Sequence, residues 1–280
     1  MIENQKYPRT PHFEELRRNI VAIARECGAT RIVIEEKLDG ANSGMQFSEA
    51  GDILTRSRGN FLQGGYREKQ FDMFRSWADW LADDLIDRIE DRHIVYGEWM
   101  FARHSIHYDQ LPHYFHEFDI LDRQTGQFLS TPARRAMLDG LPIIPVPVLY
   151  EGPVTADLDL AQFIRPSVYR SADWEASLRL AAEYAGVDPD RAVEEGDKSS
   201  LAEGIYVKLE TDELTVGRLK LVRPDFTQVI IDSGSHWADR PLIANRLSPQ
   251  AQMFMKPEEI RQMELEEAER AARNDEMEPM

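Results

Sequence analysis

Cysteine and long hydrophobic runs are both scarce in this chain. Cys27 is the only cysteine among 280 residues, so no internal disulfide can form, and a lone thiol of this kind is most often a small core residue. The most apolar stretch, 141–150, contains three prolines, and no basic segment followed by an apolar one opens the chain. We therefore expect neither a signal peptide nor a membrane span, and a soluble protein of the reducing cytoplasm.

Positive charge is also in short supply. The 33 Lys and Arg residues are outnumbered by 50 Asp and Glu, for a formal net charge of -17, whereas proteins that grip phosphate backbones are usually basic. Part of the excess lies in residues 256–280, where nine acidic and four basic residues indicate a solvated, helix-like tail. Any nucleic-acid surface must then be a local cluster of Arg and Lys, with modest and salt-sensitive binding.

The apolar residues that are present follow strand and helix periods. Helical spacing of Phe71, Phe74, Ala78, Leu81 and Leu85 predicts a long amphipathic helix over 71–89, and a helical pattern fills about 157–201. The β-branched and aromatic runs predict strands over 30–36, 45–47, 53–57, 94–99, 114–121, 147–150, 204–209, 218–222 and 229–231. This alternation predicts an α+β fold with a helical insertion.

The tetrapeptide Lys37-Leu38-Asp39-Gly40 follows the first predicted strand, with Asn42 close behind. A lysine attacks phosphorus only as the neutral amine, so it needs neighbouring cations or partial desolvation to lower its pKa. A glycine-permitted turn lets a nucleotide approach the backbone. The tetrapeptide alone is weak evidence for a nucleophilic lysine, because an ordinary surface turn can have the same sequence.

Five further segments follow in order, each on or beside a predicted strand: Arg56-Ser57-Arg58-Gly59, Tyr96-Gly97-Glu98, the run FHEFD at 115–119, Glu203 to Lys208, and Arg218-Leu219-Lys220. Together the six segments resemble motifs I, Ia, III, IIIa, IV and V of the covalent nucleotidyltransferases, which include ATP-dependent DNA ligases, RNA ligases and mRNA capping enzymes. The resemblance implies an ATP-grasp-like adenylation domain, in which antiparallel sheets are flanked by helices.

The resemblance implies three phosphoryl transfers that begin at Lys37. This lysine would attack the α-phosphate of ATP to form lysyl-AMP and pyrophosphate, then pass AMP to a 5′-phosphate end, after which a 3′-hydroxyl displaces AMP. Such transition states are stabilised by positioning and by positive charge. The implied cofactors are therefore ATP and a divalent metal, Mg²⁺ or Mn²⁺.

The family resemblance also implies roles for the acidic and aromatic positions. Glu203 would hold the metal directly or through water, and Glu98 would accept hydrogen bonds from the ribose hydroxyls. Phe118 would stack on the adenine. The backbone of Glu36 would read the adenine edge.

The basic positions of the last two motifs are implied to contact phosphate. Lys208 would contact the nucleotide near its α-phosphate, and Lys220 and Arg218 would stabilise the transferring phosphoryl group. The family commonly has lysine-x-lysine in its last motif, where this chain has Arg218-Leu219-Lys220, and arginine changes the hydrogen-bond geometry. Which of Arg218, Lys220 and Arg223 contacts the phosphate therefore stays open.

Asp39 and Gly40, in the turn of the first motif, are assigned to the nucleotide pocket. Polar residues beyond this turn are assigned to binding of the polynucleotide. Arg58 is expected to engage phosphate or the polynucleotide end. Arg56 is the alternative for that contact, because this motif varies, and Asn42 is assigned to the same surface.

Four histidines form two His-x-x-His pairs, at 104 and 107 and at 113 and 116. This spacing invites a zinc interpretation. No cysteine lies nearby, and one of the four belongs to the FHEFD segment, so we do not predict a zinc site from this pattern.

Only 54 residues follow Phe226, too few for a comfortable oligonucleotide-binding barrel. The chain therefore resembles the RNA-ligase-2-like group, with an adenylation domain over 1–235, an insertion over about 157–201 and a helical segment over 236–280. The expected partner is RNA with 5′-phosphate and 3′-hydroxyl ends, with a kinase or phosphatase as a possible end-healing partner. The alternatives are a minimal DNA ligase, a guanylyltransferase and a catalytically silent end-binding protein.

Overall fold

The computed structural model describes residues 6–16, 18–227, 241–256, 258, 259 and 262. Among these residues, no helix combines the length and apolar character needed to cross a membrane. The strand predicted over 229–231 lies outside the described residues, and so does most of the segment predicted over 236–280. The part of that segment over 241–256 packs on the main domain, through isolated bridges from Ala244 to Ala102 and from Leu247 to Leu111.

The described residues form one ten-stranded sheet, in the order β3-β2-β4-β5-β6-β10-β9-β1-β8 with β7 beside β5. All pairs are antiparallel except β5 with β7. The strands are β1 Arg31–Lys37, β2 Ala41–Phe47, β3 Ile53–Ser57, β4 His93–Trp99, β5 Phe115–Asp122, β6 Gln127–Leu129, β7 Ile144–Pro145, β8 Val148–Gly152, β9 Gly204–Glu210 and β10 Leu214–Val222. The predicted hairpin is confirmed as β2 and β3.

The sheet has two halves, and the short strand β6 joins them. The first half-sheet is β3-β2-β4-β5 and the second is β10-β9-β1-β8. Strand β6 pairs with Leu121 and Asp122 of β5 and with Leu214 and Thr215 of β10. In the described residues, β5 and β10 do not pair with each other beyond β6, which leaves a cleft between the half-sheets.

Five helices flank this sheet in the described part of the chain, and local signals fix the ends of several. Asn19 caps the first by accepting from the N–H of Ala22, and Gly28 ends it at a φ of 74°. Ser130 caps the third in the same way. The α-helices are α1 Ile20–Cys27, α2 Asp72–Ile89, α3 Thr131–Leu138, α4 Trp174–Tyr184 and α5 Pro189–Glu194, and the 3-10 helices are Glu14–Leu16, Tyr66–Phe71 and Leu160–Phe163.

The main core lies between α2 and the first half-sheet. The predicted apolar stripe of α2 is confirmed, because Phe74, Ala78, Leu81 and Leu85 are fully buried in the same cluster as Phe115 of β5. Full burial of a side chain the size of leucine or phenylalanine contributes about 1.5–3 kcal/mol. The stripe therefore supports the strands that carry the polar residues of motifs I, III and IIIa.

The helical pattern predicted over about 157–201 is confirmed as the 3-10 helix Leu160–Phe163 with α4 and α5. Helices α4 and α5 pack on one another through Leu178, Ala182 and Ala192. Helices α1 and α3 and strands β6 and β7 were not predicted from the sequence.

Candidate active site

Lys37 is the last residue of β1, and its ammonium is paired inside the molecule. Nζ lies 2.8 Å from Oε2 of Glu203, the residue that immediately precedes β9. Burial on its own lowers the pKa of Lys37, but electrostatic attraction, chiefly to the carboxylate of Glu203, outweighs it and raises the pKa above its ordinary value. Burial raises the pKa of Glu203 to about 6, so the pair is ionised near neutral pH. The amine is therefore protonated in this state and is not a nucleophile until the pair is broken.

The carboxyl group of Glu98 lies near this pair, whereas that of Glu36, the residue before Lys37 in β1, projects from the opposite face of the strand. Glu98 of β4 accepts a hydrogen bond of 3.2 Å from the N–H of Gly40, and burial raises its pKa to about 8. Burial also raises the pKa of Glu36 to about 7. Near neutral pH, Glu98 is thus largely protonated and can both donate to and accept from a hydroxyl group. Its position next to the turn of motif I fits the predicted contact with ribose.

Gly40 is required by packing at this turn. A Cβ atom there would lie 2.6 Å from Sδ of Met100 and 2.8 Å from the carbonyl oxygen of Trp99. A glycine therefore lets the turn sit directly against the end of β4, which brings Glu98 within hydrogen-bond range of the backbone.

Asp39 points into the protein instead of the cleft. Its Oδ2 accepts hydrogen bonds from the N–H groups of Ser105 (2.7 Å) and Ile106 (2.8 Å), and its own N–H donates to the hydroxyl of Tyr108 at 3.0 Å. These bonds engage Asp39 in holding the loop after β4, and its contact with the nucleotide stays a prediction. Asp39 supports the pocket indirectly.

The two arginines of motif Ia differ in exposure. Arg56 is fully buried, stacks on the rings of Phe61 and Tyr96 and donates to Gln46 at 3.0 Å. This placement does not support its predicted contact with a polynucleotide. Arg58 is exposed and is available for that contact.

Asn42 lies in β2 directly opposite Glu98 of β4, at the mouth of the same site. It is partly buried, and its Oδ1 has no hydrogen-bond partner in the described part of the chain. A buried acceptor of this kind normally finds a partner, which leaves Asn42 able to bind a substrate group as predicted.

Lys208 is buried in a charge network and not presented to the cleft. Its Nζ lies 2.8 Å from Glu35 and 3.2 Å from Asp119, and it also donates to the carbonyl of Phe118. Arg134 extends the network by bonding to Glu35 at 2.8 Å. Protein groups already satisfy its ammonium in this structure, and the contact between Lys208 and the α-phosphate stays a prediction. Its role is to hold β5, and thus Phe118, against β1 and β9.

The cleft contains two parallel aromatic rings, one from each half-sheet. The ring of Phe118 lies 6.4 Å from that of Tyr206, centroid to centroid, with 7° between their planes. The edge of the Tyr7 ring supports Phe118 from another side. Aromatic rings in such a position offer faces on which a base can stack. Tyr206 stands two residues before Lys208 in the quoted motif IV, yet the sequence analysis did not single it out.

The three basic residues in and just after the last motif, Arg218, Lys220 and Arg223, differ in their partners. Arg218 bonds to Asp119 and to the hydroxyl of Tyr7, and Arg223 pairs with Asp197 and Asp225. Both are thereby engaged by the protein.

Lys220 is the remaining cation of the three. In the part of the chain that the structure describes, its ammonium forms no ion pair. Burial and the charge of Lys37 lower the pKa of Lys220, and Glu203 partly offsets this effect. Lys220 is thus the basic residue best placed to meet a phosphate beside Lys37.

The four histidines are buried, and burial lowers the pKa of His107 to about 3, of His113 to about 4 and of His116 to about 3. His107, His113 and His116 are therefore neutral at physiological pH. In the described residues, no three His, Cys, Asp or Glu side chains are grouped to hold a metal ion.

Residues 7–13, which we call the N-terminal strap, complete the site although no sequence pattern pointed to them. Tyr7 is buried, donates to Asp119 at 2.6 Å and accepts from Arg218 at 2.9 Å. Its hydroxyl thus joins β5 to β10 across the cleft. A signal for this role could come only from the fold, because its partners lie far away in the sequence.

Comparisons with known proteins agree with this geometry. A family model described as RNA ligase matches residues 30–222, and no curated protein matches the chain. A point mutant of Naegleria gruberi RNA ligase with AMP and Mn is 15% identical, with a TM-score of 0.51, over 80% of this chain and 57% of that one. A second mutant with ATP and Mn is 15% identical, with a TM-score of 0.53, over 83% of this chain and 60% of that one.

The chain therefore spans less than two thirds of the length of these solved relatives, and at this identity the likeness shows a shared fold. The family match carries more weight, because it includes all six motifs and covers well over half of the chain. Lys37 at a strand end, Glu203 beside it and the aromatic cleft all lie within the matched residues. The chain belongs to the RNA ligase family.

Proposed function

We propose that this protein is an ATP-dependent RNA ligase that joins 5′-phosphate and 3′-hydroxyl ends through lysyl-AMP on Lys37. The observation that most supports the proposal is the position of the Lys37 amine. It lies at the cleft, forms an ion pair with Glu203 and has Lys220 near it. The parallel rings of Phe118 and Tyr206 line the same cleft.

In the first step, the neutral amine of Lys37 attacks the α-phosphorus of ATP. The Nζ–P bond forms while the bond from that phosphorus to the bridging oxygen breaks, and pyrophosphate leaves with the electron pair. A 5′-phosphate oxygen of RNA then displaces Lys37 from the AMP phosphorus. Finally the 3′-hydroxyl oxygen attacks the 5′-phosphorus and expels AMP, and the phosphodiester bond is made. Lys220 supports each transfer by placing positive charge beside the transferring oxygens.

A divalent cation fits the carboxylate donors of this site. Glu203 offers oxygen ligands, and Mg²⁺ is usually held by one or two carboxylates together with waters and substrate phosphates, which suits a site with few protein ligands. The metal would supply positive charge for the phosphates and the leaving pyrophosphate. If Glu203 binds a cation, it stabilises the Lys37 ammonium less. The pKa of Lys37 then falls toward its ordinary value.

The decisive experiment asks whether label from α-labelled ATP becomes covalently attached in the presence of Mn²⁺. Lys37→Ala should abolish labelling and keep the wild-type fold, because a nucleophile at a strand end contributes chemistry and not core packing. Lys198→Ala, which removes an exposed lysine, is the matched control and should label normally. EDTA should stop labelling of the wild-type protein. Normal labelling of Lys37→Ala would contradict the assignment of the nucleophile.

The RNA substrate is tested separately from the nucleophile. Because A-form duplexes with 2′-hydroxyls are distinguished by local contacts, we expect faster sealing of a nick whose 3′-hydroxyl strand ends in ribonucleotides. Single-turnover sealing by the adenylylated protein on matched nicks measures this preference. Equal or faster sealing of an all-DNA nick would identify a DNA ligase, with Lys37 still the nucleophile. Ends that carry other phosphates would need a kinase or phosphatase partner first.

A further inference from the structure

The N-terminal strap is fixed at both ends by backbone hydrogen bonds. At one end, the N–H of Tyr7 donates to the carbonyl of Arg58 at 3.2 Å. At the other end, the N–H of Phe13 donates to the carbonyl of Lys220 at 2.9 Å, and the N–H of Lys220 donates to the carbonyl of Pro11 at 3.0 Å. The strap therefore links the loop after β3 to β10, and the residues between these anchors are held over the site.

The register places the side chain of His12 on the same face of the sheet as Lys37. His12 pairs in parallel with Lys220, and paired residues point to the same face of a sheet. Lys220 pairs in turn with Tyr206, and Gly204, two residues before Tyr206, pairs with Lys37. His12 thus stands beside Lys220 on the face that carries the proposed nucleophile.

Several cations act electrostatically on Lys220 although the whole chain is strongly acidic. The charges of Lys37, Arg58 and Arg9 all lower the pKa of Lys220. The Arg9 side chain is 76% exposed, and its nearest carboxylate, Glu15, lies 3.9 Å away, a loose contact of little energetic value. Such a cluster of weakly neutralised cations forms an anion site.

We propose that Arg9 and His12 of the strap, together with Lys220, bind the β- and γ-phosphates of ATP and the departing pyrophosphate. This inference rests on the proposed function. As the bond between the Lys37 amine and the α-phosphorus forms, the electron pair of the breaking bond moves onto the bridging oxygen of pyrophosphate. Arg9 and Lys220 neutralise that charge, and a ring nitrogen of His12 donates a hydrogen bond to it.

The chemistry restricts the role of the strap to the charging of Lys37 and its reversal. Pyrophosphate takes part only in the formation of lysyl-AMP and in its breakdown to ATP. Sealing of an RNA that already carries AMP on its 5′-phosphate involves no pyrophosphate. Arg9 and His12 are therefore needed for the first step and dispensable for the last.

The test compares three rates in the full chain with Arg9→Ala and His12→Ala. They are single-turnover labelling by α-labelled ATP with Mn²⁺, discharge of the labelled protein by pyrophosphate, and sealing of a pre-adenylylated RNA to a 3′-hydroxyl end. We expect labelling and discharge to fall about 100- to 1,000-fold, as for the loss of one charge-stabilising donor, and sealing to stay within about twofold. Arg9→Lys should recover part of the loss. Arg179→Ala, which removes another exposed arginine paired with a glutamate, should change none of the rates.

The three rates separate failure of this inference from failure of the proposed function. If both alanine variants label and discharge like the wild type, the strap does not bind the phosphates, and the ligase assignment stands. A parallel loss of all three rates would also overturn the inference, because it would show a structural role. If the wild-type protein neither acquires label nor seals pre-adenylylated RNA, the proposed function itself is wrong.

Discussion

In the free protein Lys37 is protonated and Glu98 is largely neutral near pH 7. Ligand binding must therefore either alter these protonation states or depend on them. The Lys37 ammonium is stabilised by Glu203, so the resting protein is protected from reaction until ATP and metal arrive. Glu98 is held in a setting where burial favours its neutral form. Groups placed for ligand binding often cost stability in the free protein.

Replacement of Glu98 by glutamine should reveal how much the partly buried carboxyl group lowers the free energy of unfolding. Its pKa is about 8 in the fold against an ordinary value of 4.5, so between these pH values the unfolded chain binds fewer protons than the folded one. The contribution of Glu98 to stability is therefore full below pH 4.5 and is lost as the pH rises through 8. We expect Glu98→Gln to be more stable than the wild type by about 0.5–2 kcal/mol at pH 8, as measured by urea unfolding.

The difference between Glu98→Gln and the wild type should shrink when unfolding is repeated near pH 5. Glu183→Gln removes an exposed carboxylate of α4 and should show no such trend. A Glu98→Gln variant that is less stable than the wild type at pH 8 would contradict the neutral state assigned to this side chain.

The local sequence was sufficient to predict the motif residues of the site. It was not sufficient to predict residues whose partners are distant in the sequence. The turn at Lys37 and Gly40 was predictable because a strand and a glycine stand together there. Sequence could not tell that Asp39 and Lys208 face inward, because their partners come from other segments. Tyr7 bonds to residue 218, separated from it by 211 positions, and no spacing rule reaches that far.

At the scale of elements, α3 connects the two half-sheets. Arg134 of α3 bonds to Glu117 of β5 at 2.6 Å and to Glu35 of β1 at 2.8 Å, and all three side chains are buried. The next residue, Arg135, pairs with Glu151 at the surface. Helix α3 was not predicted from the sequence, because its eight residues span little more than two turns and are too few to show a clear helical period.

Neighbouring arginines of α3 give a matched test of this connection. Arg134→Met removes the buried guanidinium and leaves the carboxylates of Glu35 and Glu117 short of a partner, which should cost about 3–5 kcal/mol. Arg135→Met removes a half-exposed pair and should cost about 0–1 kcal/mol. Urea unfolding of both variants measures the difference.

Equal stability of the two variants would show that the buried network is not needed to hold the half-sheets together. An intermediate result is informative as well: a loss near 1 kcal/mol for Arg134→Met would mean that Lys208 alone compensates Glu35, and the network would then be centred on β9 instead of α3.

At the scale of the whole molecule, the net charge of -17 opposes binding to a polyanion, and only a local surface can overcome it. The exposed Arg58 provides such a surface near the cleft. This arrangement allows few contacts with RNA phosphates. We therefore expect weak RNA binding that involves only nucleotides near the ends being joined.

Salt should therefore affect the sealing steps more than the charging step. With about two or three phosphate contacts, RNA affinity should fall roughly 10- to 40-fold between about 50 and about 200 mM salt, whereas ATP meets Lys37 in a partly buried pocket that salt screens less. Single-turnover sealing and labelling, measured over the same salt range, check this. A steeper loss for labelling than for sealing would contradict a local RNA surface.

The N-terminal strap has a consequence for how the protein is made. Its residues leave the ribosome more than two hundred positions before β10, against which they must lie. Contacts between distant segments form late in folding because their loop must close first. A nascent chain can thus fold much of its sheet while residues 7–13 stay unpaired, and the strap can pack against β10 only after residue 222 has been synthesised. A fusion partner ahead of the strap would delay that final step, whereas the same partner behind residue 262 would not.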